Sequence, residues 1–506
     1  MGGSHEHIVL LPFMAQGHLI PFLALAKQIH QKTGFTITIA TTPLNANYLN
    51  STIAKDSTTT TTTTAAQPQI QVVALPFNSS SHGLPPNTET TESLPLHQII
   101  NLFHASSALE PPFRQLISDI AGKDGRTPLC IISDVFMGWA NGVAKSFETV
   151  NVSFTTGGAY GTAAYVSLWQ NLPHRSNEGS DEFNLPGFPD SCHFHVSQLH
   201  QFLRAADGTD SWSQFFQPQL SLSLGSVGWL CNTVEAIEPL GFKVLRNYTK
   251  LPVWCIGPLL PPSMLKRSSS SNLKIIGDRT GKEPGLSAEK CIEWLDLHPH
   301  GSVLYISFGS QNTVSASQMM ELANGLEDSG KPFIWVIRPP IGFDLKGEFR
   351  SKWLPEEFEK RMVESRKGLL VHKWAPQLEV LSHKSTGAFL THCGWNSVLE
   401  SLSQGVPMIG WPLAAEQGYN SKMLVEEMGV CVELTRGVQS TLVREEVKKV
   451  IEIVMDKEAG GERMKKKAVQ IGELMRAAVT EEGGQKGSAL QAMDDFVSFL
   501  QSERKL

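Results

Sequence analysis

The chain has 506 residues, enough for two large domains, and its 43 Lys and Arg against 49 Asp and Glu give a net charge of −6. A nucleic-acid-binding surface needs a basic footprint, so this charge argues against nucleic acid as a partner. With 41% hydrophobic and 18% charged residues, the composition excludes bulk disorder. No apolar run reaches the roughly 18 residues of a membrane-spanning helix.

Cysteine use and the N-terminus predict where the protein works. The seven cysteines are widely spread and contain no C-x-x-C pair, which favours a reducing compartment over disulfide or zinc chemistry. The opening stretch MGGSHEHIVLL has neither the basic region nor the cleavage site of a signal peptide. We therefore expect a cytoplasmic protein without stable membrane insertion, and we expect a monomer.

Short runs rich in Val and Ile alternate with longer amphipathic stretches, which predicts an α/β fold built on buried parallel sheets. In the first half, the predicted strands cover residues 7–12, 36–40, 70–75, 129–133 and 152–155. A helix is predicted over residues 22–33, with Pro21 just inside its start, where a missing N–H costs nothing. The polar threonine tract at 58–64 predicts a surface loop.

A stretch rich in Pro, Ser and Gly separates the two halves of the chain. It spans residues 257–285 and reads as an exposed linker, so we place the first domain at 1–256 and the second at 286–485. The second domain has predicted strands at 303–308, 333–338, 368–373, 388–391 and 430–433, and helices at 315–329 and 443–455. The final segment, 486–506, contains an amphipathic helix at 487–500.

Five clusters with possible chemistry each fall at or just after the end of a predicted strand. They are Gln16-Gly17-His18, Asp134, Gly309-Ser310-Gln311, Trp374 to Gln377, and His392 to Ser397. In open α/β sheets the ligand crevice lies outside the carboxyl ends of the strands. One cleft can therefore collect all five clusters.

Each cluster taken alone keeps a structural interpretation beside a functional one. Gly394 to Ser397 can cradle a phosphate at a helix start, but Ser397 and Glu400 also match a capping box that needs no ligand. His18 and Asp134 are separately typical of turn or capping residues, and together they can form a His-carboxylate pair. Trp374 is either a core residue or a residue whose indole ring stacks on a nucleotide base.

Aromatic residues in the first-half loops either line an apolar pocket or belong to the core. They are Phe13, Phe136, Trp139, Tyr160, Trp169 and Phe202. The sequence lacks the G-x-S-x-G elbow of hydrolases, the P-loop, and the H-E-x-x-H and D-x-D patterns. Cys192, His193 and His195 are isolated from other ligand types, so their grouping favours a structural role and we expect no metal site.

The segment WAPQLEVLSHKSTGAFLTHCGWNSVLESLSQGVPMIGWPLAAEQ (residues 374–417) resembles the plant secondary-product glycosyltransferase box throughout its length. Further similarity lies in LLPFMAQGHLIPFLALA, IISDVFMGWA and VLYISFGS, so the resemblance covers essentially the whole chain. The family is that of the plant family 1 UDP-dependent glycosyltransferases. Membership implies the GT-B architecture, in which two Rossmann-like domains face a cleft.

The resemblance also implies a role for each matching position of the donor site. Trp374 would stack on uracil, Ala375 would bond its edge through the backbone, and Gln377 with Glu400 would hold the ribose. His392, Asn396, Ser397 and Ser310 would bind the diphosphate at the helix start that Gly394 opens, and Trp395, Glu416 and Gln417 would contact the sugar. Glu416 departs from the commoner Asp of the family, and Gln417 favours glucose over galactose by analogy.

For catalysis, the resemblance implies that His18 is the general base and Asp134 its partner in an inverting, metal-independent transfer. UDP-glucose or another UDP-sugar would be the co-substrate, with no bound cofactor. A hydroxyl of a flavonoid, another phenolic or a terpenoid would be the acceptor. From their position in the first-half loops, we expect Phe13, Phe136, Trp139, Tyr160 and Phe202 to line its pocket. The terminal helix would pack back on the first domain.

Three other functions are compared with this one. A branch-forming transferase would add sugar to an existing glycoside, and carboxylates and amides lining the acceptor site would favour it. A UDP-sugar-binding protein without turnover is disfavoured because His18 and Asp134 are both present. An NAD-dependent oxidoreductase is disfavoured because no G-x-G-x-x-G follows the first strand.

Overall fold

Two parallel β-sheets form the framework of the molecule. The computed structural model describes residues 6–58, 70–92, 94–176, 180–265, 285–345, 347–437 and 440–504. The strands described in the first half are β1 (His7–Leu11), β2 (Thr36–Thr41), β3 (Ile70–Ala74), β4 (Cys130–Asp134), β5 (Val150–Thr155), β6 (Glu182–Asn184), β7 (His193–His195), β8 (Trp229–Cys231) and β9 (Val253–Cys255). Those of the second half are β10 (Val303–Ser307), β11 (Phe333–Ile337), β12 (Gly368–His372), β13 (Thr386–Thr391), β14 (Met408–Gly410), β15 (Cys431–Glu433), β16 (Glu481–Glu482) and β17 (Gln485–Lys486).

Helices alternate with the strands and cover the sheets. In the first half the α-helices are α1 (Gln16–Thr33), α2 (Pro43–Thr58), α3 (Ile99–Ala105), α4 (Glu110–Asp124), α5 (Ala140–Ser146), α6 (Ala159–Asn171), α7 (Gln201–Ala205), α8 (Ser211–Leu224), α9 (Pro239–Thr249) and α10 (Pro262–Leu265). In the second half they are α11 (Ala288–Asp296), α12 (Ala316–Ser329), α13 (Phe358–Glu364), α14 (Gln377–Ser382), α15 (Trp395–Ser403), α16 (Gln417–Glu426), α17 (Arg444–Met455), α18 (Glu462–Ala478) and α19 (Ser488–Glu503).

The order of strands fixes where each sheet opens a crevice. The first sheet has the order β3-β2-β1-β4-β5-β8-β9, and the second has the order β12-β11-β10-β13-β14-β15. All these strands are parallel, but the direction in which successive strands are added across the sheet reverses between β1 and β4, and again between β10 and β13. These are topological switch points, where open α/β sheets bind ligands. The loops after these four strands therefore face two crevices.

Burial on both faces explains the continuous apolar runs of the strands. In β1, Ile8 and Leu10 join one hydrophobic cluster with Phe22 of α1. Val9 and Leu11, which point the other way, join a separate cluster with residues of α4 and α5. Since successive side chains alternate between faces, a strand covered by helices on both sides must be apolar at every position.

The terminal helix α19 lies against the first sheet. The Phe496 ring meets the Trp254 ring of β9 edge-on, with centroids 5.3 Å apart. Near the end of the helix, Arg504 donates to Glu6 at 2.9 Å. The domain boundaries placed at residues 256, 285 and 485 stay a prediction.

The α/β fold class is confirmed, and each of the ten predicted strands overlaps an observed one. Strands β6, β7, β8, β9, β14, β16 and β17 were not predicted. Each has only two or three residues, which is a short run in which to recognise a period, although β15 is equally short and was predicted. The predicted helix start near Pro21 is wrong, since α1 begins at Gln16 and Pro21 lies inside it. Most of the predicted linker (266–284) and of the threonine tract (59–64) lies outside the described residues.

No helix among the described residues is both long enough and apolar enough to cross a membrane.

Candidate active site

A cavity of about 910 Å³ lies between the two sheets, at the carboxyl ends of their strands. Members of four of the five predicted clusters line it, and Asp134, the fifth, lies behind the lining, against His18. The lining from the second half includes Ser310, Trp374, Ala375, Gln377, His392, Gly394, Trp395, Asn396, Ser397, Glu400, Glu416 and Gln417. Their roles on a ligand stay predictions, but their proximity is a property of the fold.

His18 and Asp134 form a hydrogen-bonded pair across the first switch point. His18 lies in the first turn of α1, and Asp134 ends β4. The His18 Nδ1–H donates to the Asp134 carboxylate at 2.6 Å, and the other carboxylate oxygen accepts from the Phe136 amide at 3.1 Å. Asp134 is fully buried, whereas 21% of the His18 side chain is exposed. Because Nδ1 carries the proton, Nε2 keeps its lone pair and can accept one.

Charges around His18 favour its protonated form. Burial lowers the pKa of His18, but the charge and hydrogen bond of Asp134, with the charge of Glu416, outweigh it and hold the pKa above its usual value. The imidazole is therefore a stronger base than a free histidine while still being partly open to the cavity.

The first-half end of the cavity is aromatic. Phe13 and Phe136 meet the His18 ring at centroid distances of 5.6 and 5.5 Å, and Phe202 stacks on Trp212 at 4.4 Å. Phe103, Tyr165 and Trp212 also line the cavity and were missed by the sequence reasoning. They lie in helices whose patterns look like ordinary core, so the sequence carried no signal for them.

Trp139 and Tyr160 do not line the cavity, which corrects their predicted place in the pocket. Trp169, for which pocket and core were both left open, is fully buried outside the lining. Trp139 packs edge-on against Phe113, with ring centroids 5.7 Å apart. Tyr160 packs on Phe188, and its hydroxyl lies 3.2 Å from the Cys192 sulfur. At 3.6 residues a turn, Tyr160 points about 140° away from the cavity-lining Tyr165 on the same helix.

The second-half end of the cavity opens on the start of α15. Gly394 is the N-cap residue of this helix, and no side chain caps it. The capping-box alternative for Ser397 and Glu400 is therefore wrong. Both side chains instead accept from the Gln377 amide, at 3.1 and 2.6 Å. The free N–H groups of the first turn and the positive end of the helix dipole are left for an anion.

His392 packs tightly between two glycines beside this helix start. A Cβ at Gly309 would lie 2.6 Å from the His392 ring, and one at Gly394 would lie 2.4 Å from it. Burial, with the charge of Arg338, lowers the pKa of His392 to about 4. The ring is neutral near pH 7, and its buried Nδ1 has no hydrogen-bond partner among the described residues.

Two hydrogen bonds tie the helix start to the first half. Trp395 Nε1 donates to the Asn232 carbonyl at 2.7 Å, and Asn396 Nδ2 donates to the Gly17 carbonyl at 3.1 Å. Gly17 lies four residues before Pro21, which has no N–H to bond that carbonyl within α1. Pro21 thus leaves an acceptor beside His18 that Asn396 uses.

Of the predicted sugar-contact residues, Glu416 lies close enough to His18 for their charges to interact. Glu416 is buried, which raises its pKa, and the charge of His18 opposes that effect. The Gln417 side-chain oxygen accepts from the Leu413 and Ala414 amides, both at 2.9 Å, which holds this loop against the start of α16.

Other predicted features of the site concern metals and cysteines. The described residues contain no group of three or more His, Cys, Asp and Glu side chains arranged to hold a metal ion. His195 accepts from the Ser197 amide at 3.0 Å and so serves a turn. All seven cysteines are free thiols.

Two Rossmann-like domains with a shared cavity at the carboxyl ends of their strands define a GT-B fold. A family profile described as "Glycosyltransferase, N-terminal domain" matches residues 5–261. A second, described as "UDP-glucoronosyl and UDP-glucosyl transferase", matches residues 246–470.

Named relatives align over more than nine tenths of the chain. UDP-glycosyltransferase 92A1 of Arabidopsis thaliana is 41% identical, with 97% of this chain and 96% of the relative aligned. Crocetin glucosyltransferase 3 of Crocus sativus is 45% identical, with 91% and 92% aligned.

Solved structures of plant glycosyltransferases have a similar fold over almost the whole chain. The Glycyrrhiza uralensis UGT73P12 complex with glycyrrhetinic acid 3-O-monoglucuronide has a TM-score of 0.81 at 27% identity, covering 99% of this chain and 96% of that one. The Medicago truncatula UGT71G1 complex with UDP-glucose has a TM-score of 0.77 at 26% identity, covering 98% of both chains. The protein belongs to the plant UDP-glycosyltransferase family, as its sequence resemblance predicted.

Proposed function

We propose that this enzyme transfers glucose from UDP-glucose to a hydroxyl of a small apolar plant metabolite, with inversion at the anomeric carbon. The observation that carries the proposal is the His18–Asp134 pair, which lies between an aromatic pocket and a helix start suited to a diphosphate. A complex with UDP-glucose is known for Medicago truncatula UGT71G1, and crocetin glucosyltransferase 3 is among the relatives. Both support a glucosyl donor.

In the proposed mechanism, the acceptor hydroxyl lies against His18 Nε2. A phenol with pKa near 10 and a histidine near 6.5 differ by about 3.5 units, or about 4.8 kcal/mol, so full deprotonation before attack is unfavourable. The raised pKa of His18 narrows that gap. The acceptor oxygen therefore attacks the anomeric carbon as its proton passes to Nε2, and the Asp134 carboxylate stabilises the imidazolium that forms.

The donor residues keep the roles that the family implies. Trp374 stacks on uracil beside the Ala375 backbone, and the Gln377 and Glu400 pair faces the ribose. His392, Asn396, Ser397 and Ser310 surround the diphosphate at the Gly394 helix start, while Trp395, Glu416 and Gln417 hold the sugar. UDP departs with its added negative charge near the N–H groups of α15.

The aromatic residues of the lining favour an aglycone as acceptor, while the amides of Gln16, Gln198 and Gln201 in the same lining suit polar substituents on it. Phe13, Phe103, Phe136, Phe202 and Trp212 all present apolar faces. A UDP-sugar-binding protein without turnover would not need the buried Asp134 carboxylate that orients the His18 imidazole. All these residues come from one chain, so a monomer suffices, and the free thiols suit the cytosol.

The test is a transfer assay with UDP-glucose and a panel of flavonoids, other phenols, terpenoids and crocetin, run in EDTA and analysed by mass spectrometry. We expect a product heavier by one hexose. In the His18→Ala variant we expect about 10²- to 10⁴-fold slower turnover with UDP binding retained. Full activity of that variant would contradict the assignment of His18. Failure of the wild-type enzyme to bind UDP-glucose would contradict the donor.

A further inference from the structure

A guanidinium group lies behind the loop that follows β10, on the side away from the cavity. Arg338, the residue after β11, donates through Nη1 to the Ser310 carbonyl at 2.7 Å. Its Nη2 donates to the Gly309 and Asn312 carbonyls, each at 2.5 Å. One side chain thus binds three carbonyl groups within four residues, and the planar guanidinium holds its donors in a fixed geometry for doing so.

These three hydrogen bonds set the direction of the neighbouring amide groups. In a trans peptide the C=O of one residue and the N–H of the next point in opposite directions. With the Gly309 and Ser310 carbonyls turned towards Arg338, the N–H groups of Ser310 and Gln311 point the other way, towards the cavity that both residues line. Neither amide donates to any residue that the structure describes.

The same loop leaves room for an anion beside the start of α15. Gly309 has a φ of +73°, which a side chain would disfavour, and a Cβ there would meet the His392 ring. The loop and the helix start follow neighbouring strands, β10 and β13. Two outward amides, the His392 ring and the first turn of α15 therefore converge on one space.

Cationic side chains are scarce around that space. Among the residues that the structure describes, the Arg and Lys side chains lining the cavity are Arg204 and Arg436, and Arg436 pairs with Glu433. Burial lowers the pKa of Arg338 to about 10, with the charge of Glu92 opposing that, so Arg338 is charged at neutral pH. His392 is neutral there. Arg338 thus supplies a positive charge directly behind the outward amides.

We propose that Arg338 is a positioning residue for the nucleotide diphosphate, holding the Gly309–Asn312 loop so that the Ser310 and Gln311 amides donate to a phosphate. This inference rests on the proposed function and adds a residue that touches no substrate atom. A residue acting through phosphates should change the binding of UDP and leave the binding of uridine unchanged. A residue that only stabilises the fold should change both equally.

The test measures dissociation constants of UDP and uridine by titration calorimetry, with displacement titrations for weak binding. The variants are Arg338→Met, which removes the charge at similar length, and Arg338→Lys, which keeps the charge but cannot reach three carbonyls. The matched control is Arg476→Met, because Arg476 also donates to a backbone carbonyl, that of Ser403 at 2.9 Å, outside the cavity lining.

For Arg338→Met we expect UDP to bind about 10- to 100-fold more weakly, the range for hydrogen bonds that involve a charged group, with uridine within about twofold. Arg338→Lys should fall between this variant and the wild type, and Arg476→Met should match the wild type. Equal weakening of UDP and uridine, or no weakening of UDP, would overturn the proposal. If Arg338→Met does not fold, the same comparison in Arg338→Lys decides. Failure of wild-type enzyme to bind UDP would instead refute the proposed function.

Discussion

Replacing Asp134 with Asn should disable His18 without disturbing the shape of the site. The Phe136 amide needs an acceptor, so the Asn oxygen takes the place of the carboxylate oxygen bonded to it at 3.1 Å. The Asn NH₂ then faces His18 Nδ1 and donates to it. The proton of the neutral imidazole then stays on Nε2. In the wild type, Nε2 is the atom that takes the proton from the hydroxyl of the sugar acceptor, so the variant lacks its base.

The size of the effect follows from the loss of a positioned base. Such a base contributes about 10²- to 10⁴-fold, equal to about 2.7–5.4 kcal/mol of activation free energy. We expect kcat of Asp134→Asn to fall by that factor while UDP binding stays near that of the wild type. Since Asp134 raises the pKa of His18, the low-pH limb of the remaining activity should move to lower pH.

The chain offers a matched control for this variant. His7 Nδ1 lies 2.7 Å from the Asp124 carboxylate, in the same kind of pair but outside the cavity lining. Asp124→Asn should leave kcat and its pH profile unchanged. The assay is steady-state kinetics from pH 5 to 9 with each variant. An Asp134→Asn enzyme with wild-type kcat, or with an unmoved low-pH limb, would refute the reasoning.

Two further predictions concern stability. Burial raises the pKa of Glu238 to about 7, with hydrogen bonds from Thr233, Tyr160 and Ala159 opposing it. The folded state then holds more protons than the unfolded state between pH 4.5 and 7. The free energy of unfolding should therefore fall by up to about 3 kcal/mol as the pH rises across that window. Urea titrations of Glu238→Gln should show a clearly smaller fall, and equal falls in variant and wild type would contradict the assignment. Phe496→Ala should cost about 3–5 kcal/mol in the same titrations because the ring is fully buried against Trp254; a loss below about 1 kcal/mol would show that α19 contributes little.

The sequence predicted the meeting of the clusters because the rule behind it is topological. Loops after parallel strands meet at one edge of a sheet whatever their side chains. His18 and the His392 to Ser397 segment could therefore be placed in one cleft before their distances were known. The family resemblance added roles to positions that the rule had already brought together.

The sequence could not predict towards which neighbours each side chain points. Tyr160 and Tyr165 lie on one helix, yet only Tyr165 faces the cavity, because helix rotation is set by packing with distant segments. Pro21 predicted a helix start because proline is common there, yet it lies inside α1. Having no N–H, it leaves the Gly17 carbonyl without a partner in the helix, and Asn396 of the second half donates to that carbonyl instead. Arg338 gave no signal, since its partners are backbone carbonyls that any sequence could supply.

The central claim is a single displacement at the anomeric carbon, with His18 taking the acceptor's proton. The most direct test is the anomeric configuration of the product made from UDP-glucose, whose glucose is α-linked, measured by the proton coupling of the anomeric carbon in NMR. We expect a β-linked glucoside, since one displacement inverts the configuration of the anomeric carbon. An α-linked product would contradict it.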